Sequence, residues 1–279
     1  MYFSMTFMEP NLNISTLAKN TWDDWHLIPS ERPVINPPSV NTKYIEIPNH
    51  NGGLDATELL TGYPTYGTRT GSWEFIVEND HARWIDIYTI ICDYLHGKKK
   101  RMVWEEDREH YYEGRFSVNK WKSDKHYSTI AIDYTLDPYK IRMNTAASDW
   151  LWDPFNFETG IITNGFFTSW SVSDSTTYQT MFDSAAYAVS EIAEMIGTKP
   201  VVPRLSVSCP DNTGIDMHFV NLELGLDTEY HIVPTGLDTD FSIDIPDFVI
   251  TNRTMGNRIL IEAKGSGTIK AFDFVIGRL

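Results

Sequence analysis

Residues 127–134 read YSTIAIDY, in which Tyr127, Thr129, Ala131 and Asp133 alternate with Ser128, Ile130, Ile132 and Tyr134. A period of two sends each set to its own side of an extended chain, so the segment is a strand with one apolar face turned toward a core. Strand-like runs precede it at Arg101–Trp104 and His110–Val118. One helix interrupts this pattern. From His81 to His96 the apolar residues Trp84, Ile87, Tyr88, Ile91 and Leu95 recur at three- and four-residue spacing; Asn79 or Asp80 can cap the start and Gly97 stops the end. Behind it, Lys98–Arg101 reads as a solvated patch at the helix C-terminus, where cations favour the helix dipole. Further upstream, Pro29–Pro38 (PSERPVINPP) runs extended as a strap, because proline fixes φ and biases the preceding residue away from helix.

Downstream, strands are expected at Leu205–Cys209, Ile215–Leu224, Glu229–Val233, Phe241–Ile245, Phe248–Thr251, Arg258–Ala263 and Thr268–Ile276. Gly, Asn, Asp and Pro clusters separate them at the short intervals of an antiparallel β-sandwich. The fold class is therefore mainly β: an α+β first domain with one clear helix, then a sandwich. Residues 177–196 conflict with this, since Tyr178, Met181, Phe182, Ala185, Val189, Ile192 and Ile196 scan as a helix with Gly197 behind it.

The 279 residues are 42% apolar and 22% charged, a globular composition that buries roughly three quarters of the unfolded surface. Lys+Arg number 23 against 38 Asp+Glu, a net charge of −15 that repels phosphate backbones and argues against a dedicated nucleic-acid binder. The charge is uneven: residues 1–145 sum to 16 − 20 = −4 and residues 146–279 to 7 − 18 = −11. Two domains, 1–145 and 146–279, are expected, joined within 139–151 after the Asp137-Pro138 turn. No apolar run approaches the ~18 residues of a membrane span, and the opening MYFSMTFMEP has no features of an export signal. Cys92 and Cys209 are too few for a disulfide framework or a cysteine-based zinc site, and read as reduced thiols.

Catalytic signatures such as G-x-S-x-G, H-E-x-x-H, the P-loop and G-x-G-x-x-G do not occur, so no enzyme activity and no cofactor are expected. The eight histidines show no HxH or HxxxH ligand spacing. Asp238, Asp240 and Asp244 lack the Gly and terminal Glu of a calcium loop and alternate with apolar residues, as on a solvated strand face. Two aromatic features are site-like. Trp150, Trp152, Phe155 and Phe157 form either a domain-junction plug or a platform for glycan stacking. The glycine-rich loop 61–71 (TGYPTYGTRTG) carries Tyr63, Tyr66 and Arg69, with Trp73 just beyond. These residue types are enriched at binding hot spots, and the loop is expected to be a structured assembly contact.

Longer strings resemble a known family. NTWDDWHLIPSERPVINPP (20–38), LLTGYPTYGTRTGSWEFIV (59–77), YLHGKKKRMVWEEDREHYYEGRFSVNKWKSDKHYSTIAIDYTLDPYK (94–140) and DWLWDPFNFETGII (149–162) look like the distal tail protein of long-tailed phages and prophages. The closing GSGTIKAFDFVIGRL is similar to that family's glycine-rich terminal strand. Residues 163–200 depart from the pattern, and a short helix within 177–189 followed by a strand is expected there. The resemblance implies a virion structural protein, assembled in the host cytoplasm and located at the distal tail tip of a siphophage. Six copies would form a baseplate-hub ring between the tail tube protein and a tail-tip lysin or fibre protein. The tape-measure protein and DNA would pass through its bore. The first domain would make the ring and a galectin- or carbohydrate-module-like second domain would project outward, open to a host-surface glycan. Strand edges in 71–77, 101–118 and 127–135 would supply the ring contacts. The rival reading is a carbohydrate-binding module or glycan-degrading enzyme, suggested by the sandwich and the tryptophan cluster.

Overall fold

A computed structural model describes residues 3–10, 18–49, 51–77, 84–123, 127–143, 170–186, 197–209, 214–222, 224–233, 240–250, 259–273 and 275–279. The chain is mainly β and divides into two compact units, Met1–Met143 with Leu279, and Asn144–Arg278.

The first unit contains β1 (Met5–Met8), β2 (Lys19–Asn20), β3 (Leu27–Pro29), β4 (Tyr44–Glu46), β5 (Gly53–Asp55), β6 (Arg69–Val77), α1 (Trp84–Leu95), β7 (Lys98–Trp104), β8 (Asp107–Ser123), β9 (Ser128–Leu136) and β10 (Lys140–Arg142). Its antiparallel sheet runs β2-β1-β7-β8-β9-β6-β3, with β10 also paired to β8. Most of the alternating stretch 127–134 lies in β9, an interior strand of this sheet. It pairs β6 from Arg69↔Leu136 to Val77↔Ser128 and β8 from Gly114↔Leu136 to Ser123↔Ser128. Its inward residues Ile130, Ile132, Tyr134 and Leu136 are buried with Trp73, Phe75, Phe116, Met102 and Phe7. Trp84, Ile91 and Leu95 of α1 belong to the same core, which is what the helical spacing required.

Two expectations need correction. The solvated patch expected at Lys98–Arg101 holds for Lys98 and Lys99, which are exposed, with Lys98 Nζ donating to Asp93 O at the helix end. The Gly97 amide, however, donates to Phe116 O at 2.8 Å and turns the chain straight into β7, which takes Lys100 out of the patch. Lys100 then occupies an inward position and is 1% exposed. Nor are the strands in 101–118 and 127–135 open edges. β7 is paired to both β1 and β8, and β9 to both β8 and β6, because the N-terminal Met5–Met8 folds back to cover β7. Short, distant segments close the sheet, and no local pattern in the sequence marks that pairing.

The second unit contains β11 (Trp170–Asp183), β12 (Arg204–Ser208), β13 (Ile215–Asn221), β14 (Leu226–Ile232), β15 (Asp240–Asp244), β16 (Ile259–Asp273) and β17 (Gly277–Arg278). Its main sheet runs β14-β13-β16-β12-β15, with β11 also on β16. The two runs expected at 258–263 and 268–276 are parts of one strand. β16 pairs β13 through Gly265 and β12 from Thr268 onward, changing neighbours at Gly265-Ser266-Gly267. Gly265 has φ of 105°, and a Cβ on Gly267 would lie 2.8 Å from Ser208 O, so the switch needs glycine. Instead of a further strand, Phe248–Ile250 gives a bridge between Ile250 and Val201. The helix expected within 177–189 is overturned. Residues through Asp183 are strand and Ser184–Ala186 form a 3-10 turn; pairing with β16 (Gln179↔Ala263, Phe182↔Ile261) overrides the local helical spacing. The core gathers Leu205, Val207, Ile215, Met217, Phe219, Ile261 and Ile269.

Candidate functional site

The strap 29–38 is held to β6 and β9 by side chains that satisfy its backbone. Trp73 Nε1 donates to Val34 O at 3.0 Å. The Tyr134 hydroxyl accepts from the Asn36 amide and donates to Val34 O, both at 3.2 Å. Arg69 donates from Nε to Pro138 O at 2.8 Å and from a terminal nitrogen to Asn36 O at 3.0 Å. Trp73 also stacks on Tyr134 with ring centroids 4.3 Å apart. Gly71 makes the arrangement possible, since a Cβ there would meet the Tyr134 hydroxyl at 2.3 Å. Arg69 and Trp73 are thus 5% and 4% exposed, and their side chains act inside the subunit.

Tyr63 and Tyr66 are half-buried in an ordered loop. Tyr66 packs edge-on against Tyr139 at 5.9 Å; burial, with the Tyr66 and Tyr63 phenols adding, pushes the Tyr139 hydroxyl up to about 12. The Gly67 amide donates to Ser39 O and the Asn41 amide to Thr65 O, joining the loop to the chain that leaves the strap. Trp150, Trp152, Phe155 and Phe157 lie outside the described residues.

What sequence reading missed begins at this junction. Residues 39–66 form a ribbon: Val40 bridges Tyr66, Lys43 O accepts from the Ala56 amide, and β4 pairs β5 in register Tyr44↔Asp55 to Glu46↔Gly53. Tyr44, Ile45, Ile47 and Leu54 are all exposed, and so are Leu59 and Leu60, the latter at 91%. A two-stranded ribbon without a core of its own is marginal in water, and this one presents a concentrated set of large apolar side chains. Ile45, Glu46 and Ile47 alternate at the period of a strand, but the run is too brief to stand out.

A second apolar surface lies at the other end of the same sheet. Trp121 of β8 is 46% exposed, with its ring 5.2 Å from Tyr88 and 6.1 Å from Trp84 of α1. Ile85 and Ile90 of α1 and Tyr127 before β9 are exposed as well. The ribbon leaves beyond Arg69, whereas Tyr127 lies beyond the Val77↔Ser128 pair. The nine residues of β6 span the two ends, eight steps or about 26 Å at the rise of an antiparallel strand.

Charged clusters brace the unit elsewhere. Lys100 pairs with Glu9, and its ammonium sits 4.1 Å from the Tyr94 ring centroid. Asp107 meets His110 Nδ1 at 2.7 Å and Lys140 Nζ at 2.6 Å. The His110 hydrogen bond, aided by Lys140 and opposed by burial, holds the Asp107 carboxyl down at about 2. Among the described residues no group of three or more His, Cys, Asp or Glu could hold a metal ion. No described helix is long and apolar enough to cross a membrane.

The chain shares its overall fold, an antiparallel sheet backed by one helix followed by a second β unit, with a solved phage protein. One solved structure with that likeness is the crystal structure of SPP1 Dit (gp 19.1), described as a paradigm of the hub adsorption apparatus in phages infecting Gram-positive hosts. The TM-score is 0.58 at 12% identity, over 99% of each chain. No family model matches the sequence, and neither does any curated protein.

Proposed function

We propose that this chain is a structural component of a phage tail tip, a distal tail protein that assembles as a ring of six. The carrying observation is the uncovered ribbon 39–66, together with a fold shared with a tail hub protein. Heterologous contacts close into a ring when each subunit carries two different complementary surfaces. The ribbon at one end of the sheet and the Ile85–Trp121–Tyr127 surface at the other supply such a head and tail within one unit. Charge agrees: residues 43–60 carry Lys43 against Glu46, Asp55 and Glu58, a sum of 1 − 3 = −2, while Lys120 and Lys122 flank Trp121. The half-buried Tyr63 and Tyr66 stand at the root of the ribbon as further contacts.

In this reading the ring joins the tail tube protein to a tail-tip lysin or fibre protein at the distal end of a siphophage tail, after assembly in the host cytoplasm. Tape-measure protein and DNA pass through the bore, which the acidic balance of the chain keeps from gripping phosphates. Residues 1–145 form the ring, and 146–279 project as a galectin-like sandwich available to host-surface glycan. The reading is tested by electron microscopy and light scattering of the purified protein, alone and co-expressed with its tube or tip partner. Sixfold rings are expected, and Ile45→Asp with Leu54→Asp should abolish them while leaving the monomer folded. A concentration-independent monomer with no rings in either preparation would refute it.

A further inference from the structure

We propose that His218 is a proton-held clamp that fastens the β13–β14 hairpin to the sheet and lets it loosen when the imidazolium gives up its proton. His218 sits on β13 between two carboxylates from different strands. Its Nε2 is 2.7 Å from Asp227 Oδ1 on β14 and its Nδ1 is 3.0 Å from Glu262 Oε2 on β16. Only the imidazolium carries a proton on both nitrogens. A neutral ring has one N–H, so one carboxylate must then face a lone pair.

Among the described residues, none supplies a substitute cation for that role. Glu229 of β14 stands directly opposite His218 in the register, adding a third acid. From β11 the Tyr178 ring lies 5.5 Å away. Lys264 of β16 is directed to other partners, with its ammonium 4.3 Å from the Tyr178 ring centroid and 3.6 Å from Asp216 Oδ2. His231 of β14 is paired with Asp216, on the clamp's own strand. Burial acts to push the His218 proton off, but the hydrogen bonds to Glu262 and Asp227 outweigh it and raise the pKa above its ordinary value.

Because the folded value is raised, the stabilisation is complete below the unfolded pKa of about 6.5 and is lost as pH climbs through the folded one. Its loss falls on one place. Asp227 is the second residue of β14, just after the turn at Gly225, so the start of β14 loses its cross-strand tie first.

The test is NMR on the full chain, following the His218 ring proton and the amide exchange of residues 227–229 from pH 6 to 9, with intrinsic exchange rates divided out. His218 should titrate above about 6.5, and protection of these amides should fall about tenfold for each unit by which its pKa is raised. His218→Gln should show low, pH-independent protection, while His231→Gln should keep the parent's response. If His218→Gln does not fold, Asp227→Asn serves instead and should lower the His218 titration point. A His218 titrating at or below about 6.5, or a His218→Gln variant with the parent's pH response, overturns the clamp.

Discussion

Replacing Arg69 by alanine should detach the strap from the first unit, an effect on the fold before any effect on assembly. The side chain is almost wholly buried and ties two distant backbone carbonyls, Asn36 O and Pro138 O, to the start of β6. Hydrogen bonds from a charged donor contribute about 1.5–3 kcal/mol each. Asn36 is exposed and Pro138 half-buried, so water can reach the freed carbonyls and the lower end of that range applies. Two bonds then give about 3 kcal/mol. At about 2–4 °C per kcal/mol for a unit of this size, the first thermal transition should fall by about 6–12 °C. Calorimetry and denaturant titration measure the loss, and exchange of the Asn36 amide locates it. Arg69→Lys should recover only part, because an ammonium lacks the planar fork that reaches both carbonyls. A loss below about 1 kcal/mol with the Asn36 amide still protected, or rings lost at unchanged stability, would refute this reasoning and return Arg69 to the role of an assembly contact.

Gly71→Ala should act on the same strap from the other side by displacing the Tyr134 hydroxyl, costing about 2 kcal/mol, and Tyr134→Phe should cost less because no clash is added. Glu9→Ala should destabilise by about 2 kcal/mol, since it strands the buried Lys100 charge, whereas Lys100→Met should be near neutral; urea unfolding midpoints decide between them. Asp107, with its carboxyl held low, stabilises the unit above its unfolded pKa of about 3.9 and loses that contribution as pH falls toward about 2. Asp107→Asn should therefore weaken the fold at pH 7, by about 1 kcal/mol after solvent screening, and weaken it much less at pH 2. Limited proteolysis should cut within 139–151 and leave two stable fragments; a cut elsewhere with that stretch intact would move the boundary.

Periodicity in the sequence determined the elements whose inward and outward faces differ along a long run. β9 and α1 were legible because Ile130, Ile132 and Tyr134, and Trp84, Ile91 and Leu95, repeat at the period of their own backbone, and burial rewards that period directly. The strap was legible because proline restricts the chain before any contact forms. Tertiary structure alone decided what pairs with what. Met5–Met8 closing β7, and β16 drawing residues 177–183 into a strand, depend on partners about a hundred residues away, and a window of a dozen residues cannot weigh them. The site divides in the same way. Residue type singled out Arg69, Trp73, Tyr63 and Tyr66 as candidate contacts, yet only the fold showed that Arg69 and Trp73 donate to backbone carbonyls of their own unit, at Asn36, Pro138 and Val34, while the ribbon with Ile45, Leu54 and Leu60 is exposed. Exposure is a property of the assembled surface: the same leucine is core or contact according to what the rest of the chain places over it.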